Sequence, residues 1–278
     1  MSKMKSRTAR SAARSSRSLR SPGQLGEAPE KPPGRVLVLD VGGSHVKLSI
    51  SGHDEVQKFT SGPKMTAAEM VRRVRKLVSP DEYDAVSIGY PGLVFRGRIA
   101  AEPFNLGPGW VRYPFERAFG KPVRVINDAA MQAVGSYSGG RMLFLGLGTG
   151  LGVTLILDGV VEPMEIGHLP YKRGRTFEEY VGQKGLKRLG KKKWRRMVED
   201  VVDHLSKALE VDYTVLGGGN ARLLKHLPKK THLGDNSNAM VGGRLIWEMD
   251  TLLAVSPKYQ PRRRTAASRN SAISHKRK

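Results

Sequence analysis

The chain has 278 residues, enough for one large domain or two modest ones, and 39% of them are hydrophobic, so a real core is available. It has no cysteine, which excludes disulfides and cysteine-ligated metal sites, and no run of eighteen apolar residues, which excludes a membrane-spanning helix. The formal net charge of +23 is concentrated at the ends: residues 1–34 carry eight Lys/Arg against two Glu, and residues 257–278 carry eight against none.

Residues 1–34 read as a basic tail, rich in Ser, Arg and Pro and poor in large apolar residues, a composition that cannot bury enough surface to fold. The tail is Arg/Ser-rich and acid-poor, as transit peptides are, and lacks the apolar segment of a secretory signal. An overlong start would read the same, and a cytoplasmic protein is expected. Residues 257–278 read as a second such tail. Polyphosphate, nucleic acid or an anionic membrane surface could meet these charges; a solvated tail without a ligand fits equally well.

Val36–Leu39 is an apolar run ending in Asp40, followed by Val41-Gly42-Gly43-Ser44-His45-Val46-Lys47 and a second strand, Leu48–Ser51. This is strand–turn–strand, so it is not a Walker loop, whose glycines open a helix. An Asp at the end of a buried strand facing a Gly-Gly turn suits a magnesium–phosphate site; an ordinary Asp-containing turn looks alike. Thr66-Ala-Ala-Glu69 reads as a capping box. Met70, Val71, Val74, Leu77 and Val78 then fall at helical spacing, with Arg72, Arg73, Arg75 and Lys76 on the outer face.

Ala85–Ile88 is a short strand running into Gly89-Tyr90-Pro91-Gly92, and Arg98–Ala101 reads as another strand. Asn105 lies in an irregular loop, Pro103–Trp110, where it can bind a polyol or cap the loop itself. Val123–Ile126 is a strand, then Asn127-Asp128 opens a helix from Ala129 to Val134. Asp128 sits where an N-cap belongs, and equally where a general base would sit at the carboxyl end of a strand.

Leu143–Leu157 reads as two apolar strands joined by a turn in which Gly146, Gly148, Gly150 and Gly152 alternate with Leu147, Thr149 and Leu151. Its successive amides can form a nest for phosphate oxygens, with the Thr149 hydroxyl in support. A bare glycine-rich hairpin is the alternative. Glu165 and His168 are three apart with Gly167 between them, so both can face one pocket. Zinc would need further ligands. Phe177–Tyr180 begins a helical stretch. Lys184–Arg196 holds eight Lys/Arg, among them Lys191, Lys192 and Lys193, which form either a polyanion groove or a solvated face. Trp194 to Leu209 is amphipathic. Tyr213–Leu216 is a strand ending in Gly217-Gly218-Gly219-Asn220, and a helix is expected over Ala221–Leu227. Asn238–Val255 reads as a last helix.

Two strand–turn–strand loops, an Asn-Asp between them and a late Gly-Gly-Gly turn occur in the order used by the sugar kinase–actin–heat-shock ATPase superfamily. More narrowly, the chain resembles the repressor/open-reading-frame/kinase (ROK) family of sugar kinases, and within it the polyphosphate glucokinases. The resemblance covers about residues 35–250 and rests on Asp40–Lys47, Gly89–Gly92, Phe104–Leu106 with Trp110, Ile126–Asp128, Leu147–Gly152, Glu165–His168, Phe177–Tyr180 and Leu216–Asn220. It implies an α/β, two-lobed, actin-like (ribonuclease H-like) fold with a cleft between lobes. The expected lobes are 35–127 and 128–237, with the helix about 238–255 packing back onto the first.

The resemblance further implies a phosphotransferase acting on the 6-hydroxyl of glucose, with Asp128 as base. Asn105, Asn127, Glu165, His168 and Glu178 are the implied sugar ligands. Asp40, Gly42, Gly43 and Lys47 form the first phosphate loop, and Gly148, Thr149 and Gly150 the second. Gly217, Gly218 and Gly219 lie on the nucleotide side, and Asp40 holds Mg2+ through water. Most of the family carries a cysteine-rich zinc motif after the Gly-His pair. Residues 169–176 have no cysteine, so no zinc site is expected, which favours the polyphosphate branch. The donor is polyphosphate, ATP or both, and a homodimer is implied. No membrane or specific nucleic-acid partner is expected. An ATP-dependent kinase for another hexose and a non-catalytic sugar-binding regulator remain as alternatives.

Overall fold

The computed structural model describes residues 33–53, 55–235 and 237–248. β1 (Val36–Val41) is buried along its whole length. It pairs antiparallel with β2 (His45–Ile50), in a register that sets Asp40 opposite Lys47. β3 (Gln57–Thr60) continues the ladder on the far side of β2. In α1 (Ala67–Leu77), Met70, Val71 and Val74 face the core. The Thr66 hydroxyl accepts from the Glu69 amide at 3.2 Å. Only that half of the expected capping box forms, because Arg72 and Arg73 on the next turn draw the Glu69 carboxylate to themselves. Those two bonds hold the Glu69 carboxyl below its usual range.

β4 (Ala85–Tyr90) runs parallel to β1 and is buried throughout. The strand expected at 98–101 is shorter: β5 (Val94–Phe95) and β6 (Arg98–Ile99) make a small hairpin. After the short α2 (Phe115–Phe119), β7 (Val123–Asn127) adds a third parallel strand beside β4. The first sheet therefore has the order β3-β2-β1-β4-β7. α3 (Asp128–Ser136) follows at once.

β8 (Arg141–Leu147), β9 (Leu151–Leu157) and β10 (Val160–Met164) form an antiparallel meander. β11 (Pro170–Lys172) and β12 (Arg175–Thr176) form a minor hairpin ahead of α4 (Phe177–Val181). The long α5 (Gln183–Ala208) is kinked at Gly190. β13 (Tyr213–Gly217) and β14 (Thr231–Leu233) then lie parallel to β8, giving the order β10-β9-β8-β13-β14. Each sheet is an antiparallel meander of three strands with two parallel strands added at its first member, so the two halves share one plan.

The helix expected at 221–227 is a single 3-10 turn, Ala221–Leu223. Asn220 gives it no side-chain cap, and Pro228 bars helical backbone at Leu227, so seven residues cannot sustain a helix there. The last helix, α6, spans Asn238–Leu245; the part of the expected helix beyond residue 248 lies outside the described residues. α6 packs on β1 and β4. Trp247, just past its end, donates from Nε1 to Ser87 Oγ at 2.7 Å, and Ser87 donates in turn to the Gly243 carbonyl. No described helix is long and apolar enough to cross a membrane.

α3 lies between the sheets, touching β4 and β7 of one and β8, β9 and β10 of the other, and it packs closely on α6. Backbone meets backbone there. A β-carbon at Gly135 would overlap the Asn238 carbonyl, and one at Gly242 would overlap the Met131 carbonyl. We therefore expect Gly242→Ala to lower stability by about 2–3 kcal/mol, as overpacking against an unyielding neighbour does. Val241→Ala, on the exposed face of the same helix, should cost less than about 1 kcal/mol. Thermal or denaturant unfolding checks the pair, and equal effects would remove the close crossing.

Candidate active site

The start of α3 lies against strands of both sheets: a β-carbon at Gly89 of β4 would lie 3.5 Å from the Asp128 α-carbon, and one at Gly146 of β8 would lie 3.8 Å from Ala129 Cβ. In the first turn the Gly42 amide donates to the His45 carbonyl at 2.9 Å, and the Ser61 hydroxyl donates to the Gly42 carbonyl at 2.6 Å. Asp40, at the end of β1, is 8% exposed. Burial raises its carboxyl above the usual range, while Lys47, across the ladder at 3.3 Å, opposes the rise. In the second turn the Gly148 amide donates to the Gly150 carbonyl at 3.1 Å. The Thr149 side chain is exposed, and the space at the α-carbon of Gly148 is open.

Asp128 is the first residue of α3. The expected capping role falls to its neighbour: Asn127 Oδ1 accepts from the Ala130 amide at 3.1 Å, while Asn127 Nδ2 donates to the Gly92 carbonyl at 3.1 Å. The β7 strand ends one residue later than the sequence pattern indicates, and that shift frees the Asp128 carboxylate from cap duty. Its Oδ1 accepts the Ala129 amide at 2.8 Å. Burial first, and the nearby Asp40 charge second, push the Asp128 carboxyl up to about 7. Its helix is fitted against the second sheet by Gly152, whose β-carbon would come within 2.6 Å of Ala129 Cβ.

Three of the expected sugar ligands converge. His168 Nδ1 is 3.4 Å from Glu165 Oε2, and His168 Nε2 is 4.0 Å from Glu178 Oε2. Glu178 Oε2 also accepts from the Leu151 amide at 3.0 Å, which ties this cluster to the second turn. A β-carbon at Gly150 would overlap that carboxylate, so glycine at 150 admits Glu178. The segment after His168 is pinned without metal. Tyr171 stacks on Phe177 at 4.6 Å and meets Tyr180 edge-on at 5.2 Å, and Lys172 pairs with Asp200 at 2.6 Å. Asn105 sits on the first turn, its Cβ at 3.0 Å from where a Gly43 β-carbon would lie. Its loop is anchored by the buried Trp110, which donates from Nε1 to the Met65 carbonyl at 3.2 Å, and by Tyr90, which donates to the Ala101 carbonyl at 2.9 Å.

The Gly-Gly-Gly turn is explained largely by packing. A β-carbon at Gly217 would overlap Phe144, and one at Gly218 would lie 2.6 Å from the Leu147 carbonyl oxygen; only Gly219 faces open space. Two residues that sequence reasoning did not place in the site hold the second turn from this side. Asn220 Nδ2 donates to the Gly148 carbonyl and to Gln183 Oε1, both at 3.1 Å, and the Gln183 amide donates to the Thr149 carbonyl at 3.1 Å. A polar residue ending a glycine run was the available signal for Asn220; nothing local marked Gln183. Lys191, Lys192 and Lys193 are exposed on α5 just beyond the Gly190 kink, and no described bond joins them to the turns.

The ROK family model matches residues 36–186. No protein of curated function matches the chain. Among solved structures, an inorganic polyphosphate/ATP-glucomannokinase from Arthrobacter sp. strain KM is similar at TM-score 0.65 and 22% identity, over 78% of this chain and 99% of that one. A ROK family glucokinase from Streptomyces griseus, in complex with glucose and AMPPNP, gives 0.62 and 16%, over 77% and 99%. A ROK family transcriptional regulator, homologous to an Escherichia coli protein, gives 0.62 and 14%, over 79% of each chain. At these identities the likeness carries the fold, which is the two-lobed actin-like one.

The raised Asp128 carboxyl has a consequence for stability. Folded, the group keeps its proton up to about 7; unfolded, it releases it near 3.8. Between those values the folded state binds more protons, so stability falls as pH rises through that window. Asp128→Asn should therefore raise the melting temperature at pH 8 and raise it less at pH 4. Equal shifts at both would show that the carboxyl is not perturbed.

Proposed function

The chain belongs to the ROK family, and on that premise we propose that it is a sugar kinase. It transfers a phosphoryl group from polyphosphate or ATP to the 6-hydroxyl of glucose or a similar hexose, giving the hexose 6-phosphate. The observation that carries this reading is the Asp128 carboxylate at the start of α3, left free of the capping role and near enough to Asp40 for that charge, added to burial, to push it up to about 7. A base with that proton affinity suits a hydroxyl nucleophile near neutral pH.

In this reading the hexose lies against Glu165, His168 and Glu178, whose oxygens and ring nitrogens meet its hydroxyls, with Asn105 and Asn127 at the flanks. Asp128 accepts the proton of the 6-hydroxyl as that oxygen bonds to the terminal phosphorus. The bond from phosphorus to the donor's bridging oxygen breaks, and the shortened donor leaves with the electron pair. Amides of Gly43 and Gly150, the Thr149 hydroxyl and the Lys47 ammonium offset the charge on the transferring group, while the Gly42 and Gly148 amides close the two turns. Gly219, on the open face of its turn, is left for a nucleotide's adenosine side.

Magnesium fits this donor set. Among the described residues no cluster of three or more His, Cys, Asp or Glu could cage a metal. A magnesium ion that keeps its waters needs only one or two carboxylates plus phosphate oxygens, and Asp40 supplies the first. Bound there, the ion would neutralise phosphate charge.

The donor is chosen by charge. The first half of α5, from Gln183 to Val198, has no acidic residue, and Lys191, Lys192 and Lys193 are exposed on it. A long polyanion can engage such a row; a single nucleotide cannot.

Purified protein with glucose and either donor tests the proposal. Glucose 6-phosphate should form, and kcat/KM should rise with pH to a plateau above about 7, since only ionised Asp128 accepts a proton. Asp128→Asn should lower kcat by roughly a thousandfold while glucose still binds; surviving turnover would remove the base. Changing Lys191, Lys192 and Lys193 together to Gln should raise KM for polyphosphate several-fold and flatten its salt dependence, with KM for glucose unchanged. Equal losses for donor and sugar would count against the row.

A further inference from the structure

A hydrogen-bond relay holds the second turn from behind. Three successive carbonyls, those of Leu147, Gly148 and Thr149, are met by two residues distant in sequence. The Asn220 amide donates to the Leu147 carbonyl at 2.9 Å, Asn220 Nδ2 to the Gly148 carbonyl at 3.1 Å, and the Gln183 amide to the Thr149 carbonyl at 3.1 Å. Asn220 Nδ2 also donates to Gln183 Oε1 at 3.1 Å, so the two residues stand together on one side of the turn. Gly182 lets the start of α5 come this close, since a β-carbon there would lie 3.0 Å from the Thr149 carbonyl oxygen.

A trans peptide points its carbonyl and its amide in opposite directions. Fixing the Gly148 and Thr149 carbonyls toward Asn220 and Gln183 therefore aims the next two amides, those of Thr149 and Gly150, to the opposite side. Among the described residues neither of these amides has an acceptor. Their neighbours on both flanks do: the Gly148 amide meets the Gly150 carbonyl, and the Leu151 amide meets Glu178 Oε2. Two adjacent free amides bounded by two satisfied ones make a nest for the oxygens of one phosphoryl group. Rotating either peptide to release its amide would break a carbonyl bond on the far side.

Asn220 works through the turn and not on a ligand. A carbonyl can only accept, which fixes the orientation of the Asn220 side-chain amide, and both hydrogens of Nδ2 are then used, one on Gly148 and one on Gln183.

We propose that Gln183 and Asn220 are positioning residues for phosphoryl transfer. Gln183 orients the Asn220 side chain, Asn220 fixes the Gly148 peptide, and the turn so held aims the Thr149 and Gly150 amides at the terminal phosphate of the donor. The inference rests on the sugar-kinase reading for the identity of that phosphate.

Calorimetry with tripolyphosphate and with AMPPNP, each with magnesium and the full chain, reads the nest without turnover. Asn220→Ala keeps the backbone bond to Leu147 and should weaken whichever probe binds by about tenfold or more, as leaving a carbonyl unmet does. Gln183→Ala keeps its own backbone bond to Thr149 and should weaken binding less, by about threefold. The double variant should be no weaker than Asn220→Ala alone, because the Gln183 side chain acts only through Asn220. The amides are neutral, so the loss should be the same at low and high salt, whereas loss of a cation would flatten the salt dependence. In turnover, kcat/KM for the donor should fall by the same factor while glucose affinity stays as in the wild type. Additive losses would overturn the relay, as would a loss confined to low salt or an equal loss for glucose. No binding of either probe to the wild-type chain would remove the nest itself. Unaltered donor affinity in Asn220→Ala, with wild-type turnover intact, would overturn the relay and leave the kinase reading standing. Relay-dependent probe binding by a wild-type chain that phosphorylates no hexose would do the reverse.

Discussion

Everything that converges on Asp128 depends on how closely two short helices approach. α3 is squeezed between the sheets, and it fits because Gly135 and Gly242 let the backbones of α3 and α6 meet without side chains between them. The same economy recurs at its first turn, where Gly152 leaves just enough room for Ala129. Small residues at these contacts set how closely the helix start approaches its neighbours. The carboxylate at that start is therefore held close enough to Asp40 to feel its charge. α6 fixes the other side, since Trp247 and Ser87 link its end to the middle of β4.

The shared plan of the two sheets explains why two phosphate-sized turns face one carboxylate. In each, the turn joins the first and second strands of a meander, and the first strand is the one to which the parallel strands attach. Backbone amides do the same work on both sides, but the side chains have diverged. The first turn carries a buried carboxylate partly neutralised by Lys47; the second carries Thr149 and is braced by Glu178, Asn220 and Gln183. The Asp128 carboxyl is raised first by burial and second by the Asp40 charge.

Much of this was legible from residue order alone. Both hairpins showed as apolar runs around glycine, and the alternation in 143–157 marked the second turn to within a residue or two. Elements that were misread share a cause: competition that no local pattern reveals. Glu69 has the spacing of a capping box, yet two arginines one turn on outbid the Thr66 amide. Asp128 has the look of a cap, yet the strand runs one residue further and Asn127 takes that place. The 221–227 stretch has apolar residues enough for a helix, yet it has neither a cap nor freedom from Pro228. Contacts distant in sequence, such as Asn220 with Gln183 and Gly148, have no signature in either segment.

The segment after His168 shows how one requirement can be met by different means. A histidine meant to face a ligand must be held from both sides in sequence. On the near side Glu165 is one turn away and pairs with it. On the far side the chain offers no cysteine for a metal clamp, and the aromatic stack of Tyr171, Phe177 and Tyr180 takes up the load, with Lys172 and Asp200 at its edge. Such a stack is worth about 0.5–1.5 kcal/mol per ring pair beyond its buried area, far less than a structural metal contributes. It therefore holds the segment between His168 and α4 by ring packing and one ion pair.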